Sequence, residues 1–183
     1  PIKTKNFSWN VSYNLAYNKS EVLQLVDGLN TIEMAGSVGG WAFVHNQVGR
    51  PYGTIKGYTM DKDANGNVIF NTATGYQQRS GLKELGQGVP PWTMGLSNTF
   101  TYKNFSLDVL LDGKFGNKIF STMDVYATRF GLHQMTLPGR ENGLPVSGVT
   151  PSGDAYSRTV PVKELRLYYD NLKNYTDLFL YDA

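Results

Sequence analysis

Cysteine is absent from the 183 residues. That removes disulfides, thiol chemistry and cysteine-based metal sites, and leaves the compartment open. Histidine is scarce, with only His45 and His133, far apart in the chain. No paired-carboxylate pattern and no nucleophile with an adjacent base is marked by a motif, so the reading is that of a non-enzyme. Excess charge of either sign is missing as well. The net charge is +2, which leaves no electrostatic footprint for nucleic acid. No run of about 18 apolar residues occurs, which excludes a membrane helix. It does not exclude a β-barrel, whose strands are only half apolar. A secretory leader is missing from the opening PIKTKNFSW. The closing TDLFLYDA stops as a new alternating run begins. Both ends are therefore expected to be cuts through a longer chain.

Aromatic residues are abundant. They make up 13% of the chain, with twelve tyrosines and nine phenylalanines, residue types that suit strands. Residues 91–116 organise the rest. With period two, Trp92, Met94, Leu96, Asn98, Phe100 and Tyr102 share one face, and Thr93, Gly95, Ser97, Thr99 and Thr101 the other. After Lys103 and Asn104 the pattern resumes with Phe105, Leu107, Val109, Leu111, Gly113 and Phe115 against Ser106, Asp108, Leu110, Asp112 and Lys114. Successive strand side chains alternate faces, so this predicts an amphipathic hairpin of strands 92–102 and 105–116. Arms of about 11 residues match a tilted transmembrane strand. Aromatics stand at both ends of the apolar face and aliphatics between them, as in a barrel wall with interfacial girdles. A soluble β-sandwich uses hairpins of the same kind.

Residues 5–19 repeat the signal. Phe7, Trp9, Val11, Tyr13, Leu15 and Tyr17 oppose Ser8, Asn10, Ser12, Asn14, Ala16 and Asn18. A solvent face normally carries more Lys, Glu and Arg, whereas small polar residues suit a wet barrel lumen. Two long excursions, 20–91 and 117–177, separate or follow these strands. Inside them, 30–40 reads as a Gly/Ser loop, 48–58 as a turn and short strand, and 68–71 as a return strand. Residues 121–132 fit either a helix or irregular structure, and 162–172 a short surface helix. Residues 178–183 read as the start of a further strand. Excursions this long are usually functional, and outer-membrane barrels put short turns on one side and long loops on the other.

One spacing suggests a metal. Asp61, Asp63, Asn65 and the Asn67 carbonyl alternate around Gly66, as oxygens that wrap Ca²⁺ do. The twelfth position is Thr72 rather than a bidentate Glu. The competing reading is an Asn-Gly turn between two strands.

At residues 86–112 the run Pro-Pro-Trp-Thr-Met-Gly-Leu-Ser-Asn-Thr-Phe-Thr-Tyr-Lys-Asn-Phe-Ser-Leu resembles the late barrel of SusC/RagA-type TonB-dependent transporters. Asn6-Phe-Ser-Trp9 with Ala16-Tyr-Asn-Lys19, Gly49-Arg-Pro-Tyr-Gly53 with Lys56-Gly-Tyr58, and Leu137-Pro-Gly-Arg140 with Ser147-Gly-Val149 resemble that family too, as does Phe179-Leu-Tyr-Asp-Ala183. The resemblance implies an all-β fold, a partial transmembrane β-barrel of antiparallel up-and-down strands with long extracellular loops, all 183 residues belonging to one C-terminal barrel portion. Such transporters form plugged barrels of about 22 strands in the Gram-negative outer membrane. They import glycan or peptide fragments with energy delivered by TonB through the plug, which this chain lacks. A SusD/RagB-like surface lipoprotein is the implied lid, and outer-membrane lipid the implied surround. Lumen charges at membrane depth often mark a pathway, which singles out Asp108, Asp112 and Lys114. Among loop aromatics, Trp41, Tyr52 and Tyr58 are the main candidates for substrate contact, beside Phe43, Tyr76 and Tyr126. The alternative is a soluble all-β carbohydrate-binding module.

Overall fold

A computed structural model describes residues 1–37 and 39–183. Strand β1 (Ile2–Lys3) leads into β2 (Phe7–Tyr17). The first excursion holds β3 (Thr31–Gly36), β4 (Ala42–Gln47), β5 (Thr54–Gly57) and β6 (Lys83–Gln87). The long hairpin is β7 (Trp92–Tyr102) and β8 (Phe105–Phe115). The second excursion holds β9 (Lys118–Phe120), helix α1 (Thr122–Arg129), β10 (Leu144–Val149), β11 (Ala155–Val160), helix α2 (Leu165–Asn171) and β12 (Leu180–Asp182).

The wall is an antiparallel sheet in the order β1-β2-β7-β8. β7 pairs β2 from Phe7↔Tyr102 to Tyr17↔Trp92, and β8 from Tyr102↔Phe105 to Trp92↔Phe115, without a break. A slip of one residue would exchange the faces of a whole strand. The hairpin turns on Lys103 and Asn104, with Lys103 at φ +52 in the left-handed region. The Lys103 N–H also donates to the Asn6 carbonyl at 2.8 Å, tying this turn to the start of β2. Both excursions leave from the opposite end of the wall, beyond Tyr17, Trp92 and Phe115.

The excursions are folded rather than loop-like. β3-β4-β5-β6 form a second antiparallel sheet. The stretch 30–40, expected as a loop, thus contains a strand; Val38 within it lies outside the described residues. Register shifts between Glu33 and Ala35 and between Ile55 and Lys56 break the alternation there, as bulges do. Residues 60–79 form a narrow arm held by bridges Met60↔Arg79, Lys62↔Val68 and Phe70↔Gln77. That arm is sewn to the second excursion. Val149 donates to the Val68 carbonyl at 2.9 Å, and Phe70 to the Val149 carbonyl at 2.8 Å. Gly148 permits the approach, since a Cβ there would meet the Val68 carbonyl oxygen. Phe70 stacks on Tyr156 at 4.9 Å.

Burial is concentrated in the excursions. Trp41, Val125, Val160, Leu165, Tyr168, Tyr169, Leu172, Tyr175 and Phe179 make the core. α1 starts with the Ser121 hydroxyl accepting the Asp124 N–H at 3.2 Å, and carries Asp124 in its first turn and Arg129 in its last. Both placements favour the helix. The 162–172 segment is helical as its spacing predicts, but it is not a surface helix. Leu165, Tyr168, Tyr169 and Leu172 are all buried, each contributing about 1.5–3 kcal/mol. Tyr175 sends its hydroxyl to the Gln77 carbonyl at 2.7 Å. β12 pairs with β9 from Leu180↔Phe120 to Asp182↔Lys118. The backbone pairing continues through Ala183, whose N–H donates to Asn117 and whose carbonyl accepts from Gly116.

Candidate functional site: the wall and the folded mouth

Register brings the wall residues into rows. On one face lie Phe7–Tyr102–Phe105, Trp9–Phe100–Leu107, Val11–Asn98–Val109, Tyr13–Leu96–Leu111, Leu15–Met94–Gly113 and Tyr17–Trp92–Phe115. Aromatic rows close both ends. Trp9 stacks on Phe100 at 5.8 Å, and Tyr17 meets Trp92 at 4.5 Å. The one polar member, Asn98, accepts the Trp9 indole N–H at 3.0 Å. A lone amide in an apolar row was visible in the sequence, but its partner, one row away on β2, required the register.

This face is bare. Tyr13 is 56% exposed, Leu15 55%, Leu107 60% and Leu111 54%. Among the described residues no second sheet covers it, as a β-sandwich core requires. The carbohydrate-binding sandwich is therefore not the fold observed.

The opposite face carries rows Ser8–Thr101–Ser106, Asn10–Thr99–Asp108, Ser12–Ser97–Leu110, Asn14–Gly95–Asp112 and Ala16–Thr93–Lys114. Asp108, Asp112 and Lys114 thus share the polar face. The Thr99 hydroxyl donates to Asp108 at 2.6 Å. Leu110 is the apolar exception.

The three candidate loop aromatics part company. Trp41 is buried, packed edge-on against Tyr126 at 5.5 Å. Its place is the core, where it packs the first excursion against helix α1 of the second. Tyr58 is half-buried, with the Arg79 guanidinium 4.1 Å above its ring and Phe43 at its edge. Tyr52 is exposed and lines a cleft with Tyr17, Lys19, Pro51 and Pro91 where wall and excursion meet. Tyr76 packs near Tyr168 at 6.1 Å.

The connector missed by sequence reasoning is Thr176, which is fully buried. Its hydroxyl donates to the Trp41 carbonyl and accepts the Tyr58 N–H at 2.9 Å, while its own N–H donates to the Tyr58 carbonyl at 2.7 Å. Gly57 makes room, because a Cβ there would overlap the Thr176 side chain. No local pattern marks this threonine.

The loop 61–67 is built as a turn. Asp63 Oδ1 accepts the N–H groups of Asn65 and Asn67 at 2.9 and 2.8 Å, and Oδ2 accepts the Asn67 amide at 3.0 Å. The Asn67 carbonyl is taken by the Asp63 N–H. Asp61 turns instead towards Gln78 and Lys83. No group of three or more His, Cys, Asp or Glu suited to a metal occurs among the described residues. These bonds, led by the Asn67 side chain, hold the Asp63 carboxyl below its ordinary value.

The two histidines stay apart. His45 is buried in β4, and neither ring nitrogen has a partner among the described residues. Burial, helped by the Lys56 charge and opposed by Glu33, lowers its pKa. His133 instead accepts the Met135 N–H at a helical turn.

No family model matches the chain. Curated proteins do. TonB-dependent receptor P39 of Formosa agariphila is 26% identical over 68% of this chain and 16% of its own length. TonB-dependent receptor P3 of the same organism is 25% identical over 66% and 14%. TonB-dependent receptor SusC of Bacteroides thetaiotaomicron is 27% identical over 66% and 13%. The chain thus spans only a small part of these relatives. Among solved structures, that of the RagAB peptide transporter matches 74% of this chain and 16% of its own, with a TM-score of 0.50 and 21% identity, a likeness of fold. By sequence and by strand arrangement, the chain resembles part of a SusC/RagA-type TonB-dependent transporter, an open segment of antiparallel β-barrel.

Proposed function

We propose that this chain supplies three wall strands and two outer loops to the C-terminal part of an outer-membrane barrel. That barrel imports glycan or peptide fragments into a Gram-negative cell with energy from TonB. The observation that carries the reading is the bare wall face with an aromatic row at each end and one internally satisfied amide. In lipid every backbone polar group needs a partner, so the sheet requires closure by further strands. β8 forms one free edge of the sheet, and β2 beyond its short pairing with β1 forms the other. The pairing of Ala183 with Gly116 and Asn117 brings the β12 backbone to the end of the β8 edge.

The second excursion exposes Met123, Leu132 and Leu167. We assign this apolar surface to contact with a SusD/RagB-like lipoprotein, in keeping with the relatives. Asp108, Asp112 and Lys114 face the lumen in this reading, and Tyr52 and Tyr58 flank the mouth.

The test is to fractionate the source cells and follow the native polypeptide. An outer-membrane species several times the 20.4 kDa of this chain, copurifying with a surface lipoprotein, supports the reading. A soluble species of this chain's own size refutes it.

A further inference from the structure

Between α1 and α2 lies a cleft of about 440 Å³ lined by Phe130, Leu165 and Tyr169 and by two guanidiniums, Arg140 and Arg166. Its volume is that of a small-ligand pocket, roughly 300–1,000 Å³. Arg140 is fixed in place. Its Nε donates to the Thr136 carbonyl at 2.9 Å, and Nη2 donates to the Thr136 hydroxyl at 3.0 Å and to the Gly131 carbonyl. Thr136 is itself buried, so the guanidinium plane is held by a rigid base. Nη1 donates to nothing among the described residues. Arg166 stands exposed on α2, and its side chain makes no ion pair among the described residues.

Two acids near α2 are occupied elsewhere, while Glu141 borders Arg140 on its other side, away from this cleft. Glu164 faces Arg158 at 3.7 Å, and Asp170 faces Arg129 and Lys173 at 2.9 and 2.8 Å. Neither Arg140 nor Arg166 has an ion-pair partner among the described residues. A preoriented guanidinium with its Nη1 amino group free, a second cation lining the same cleft and apolar walls form a receptor for a carboxylate on a hydrophobic or ring-shaped body.

We propose that this cleft binds a carboxylate group, with Arg140 as the fixed donor and Arg166 as the mobile one. The candidate ligands follow from the import reading above: a uronic-acid residue of an oligosaccharide, or the C-terminal carboxylate of a peptide. Both present the same group to the same pair of arginines.

The test uses the full-length polypeptide in detergent and equilibrium binding of two probe pairs. One pair is trigalacturonate and neutral galactotriose; the other is a short peptide with a free C-terminus and its C-terminal amide. The acidic member of one pair is expected to bind more tightly than its neutral partner, and the pair that discriminates identifies the source. Arg166→Gln, at an exposed position without an ion-pair partner among the described residues, should weaken that binding roughly tenfold to a hundredfold. Arg140→Lys should weaken it too, because an ammonium keeps the charge but cannot bond Thr136 and Gly131 while holding a fixed Nη1 donor towards the cleft. Equal binding within both pairs, or acidic binding unchanged in Arg166→Gln, overturns the proposal. Binding in detergent needs no TonB, so a failure of uptake leaves this result standing. Loss of the carboxylate preference, conversely, leaves the import reading untouched.

Discussion

Replacing Thr176 with valine keeps the shape and removes the hydroxyl that joins the two excursions. The Tyr58 N–H and the Trp41 carbonyl then lose their partners. A buried polar group left unsatisfied costs about 1–3 kcal/mol. Trp41 is buried and Tyr58 half-buried, so the sum is about 2–4 kcal/mol. The loss is local, because the wall strands make none of these bonds. At about 1.4 kcal/mol per tenfold change, opening of the folded mouth should rise roughly thirty- to a thousandfold. Hydrogen exchange on the full-length protein, read on peptides covering residues 41–58 and 172–180, measures it, with peptides from the wall as the internal control. Thr176→Ser keeps both bonds and loses one methyl, about 0.8 kcal/mol, so it should exchange only a few times faster than the parent. If Thr176→Val exchanges no faster than Thr176→Ser, the hydroxyl does not join the excursions and the reasoning fails.

Three further outcomes are expected. Asn98→Leu strands the Trp9 indole N–H on the apolar face and should cost about 1–2 kcal/mol; in a double-mutant cycle with Trp9→Phe the penalties should not add, and simple additivity would contradict the pairing. The Asp63 carboxyl sits below its ordinary value of 3.8, so its turn is fully supported above that pH and weakens as pH falls below it. Exchange at Asn65 and Asn67 should quicken there, should lose that pH dependence in Asp63→Ala, and should not slow on adding Ca²⁺ at neutral pH. Burial pushes the Tyr175 phenol up to about 12, so the core is intact below pH 10 and loses stability between 10 and 12 as the unfolded phenol ionises first. Alkaline unfolding should be less steep in Tyr175→Phe; an unchanged slope would assign the effect to Tyr168 and Tyr169, which burial also raises.

The wall was legible because its information is local and repeated. Alternation over β2, β7 and β8 runs for 11 residues in each strand, and the polar pair Lys103-Asn104 interrupts it at one point. The second sheet was not legible for the converse reason. Its strands have 4–6 residues, and bulges after Glu33 and Ile55 shift the phase before a pattern can build. The helical spacing of Leu165, Tyr168, Tyr169 and Leu172 was readable, but what covers that stripe is Trp41, Val125, Val160, Tyr175 and Phe179 from four other places in the chain. Trp41 shows the limit most plainly. A tryptophan in a Gly-rich stretch reads as a surface aromatic until the backbone brings α1 and Thr176 to it. The parity of Asp108, Asp112 and Lys114 could be read from β8 alone, whereas the empty donors of Arg140 and Arg166 depend on where distant acids found their partners.

The central claim is that one face of the β2-β7-β8 wall meets lipid and the other meets water. This stretch has no cysteine, so single cysteines placed from position 96 to 101 can report on it in the full-length protein, in outer-membrane vesicles. Fluorophores at 96, 98 and 100 should be quenched by lipid-borne spin labels and resist aqueous maleimide; those at 97, 99 and 101 should do the reverse. Labelling that ignores this alternation, or equal access of water to both faces, would contradict the account.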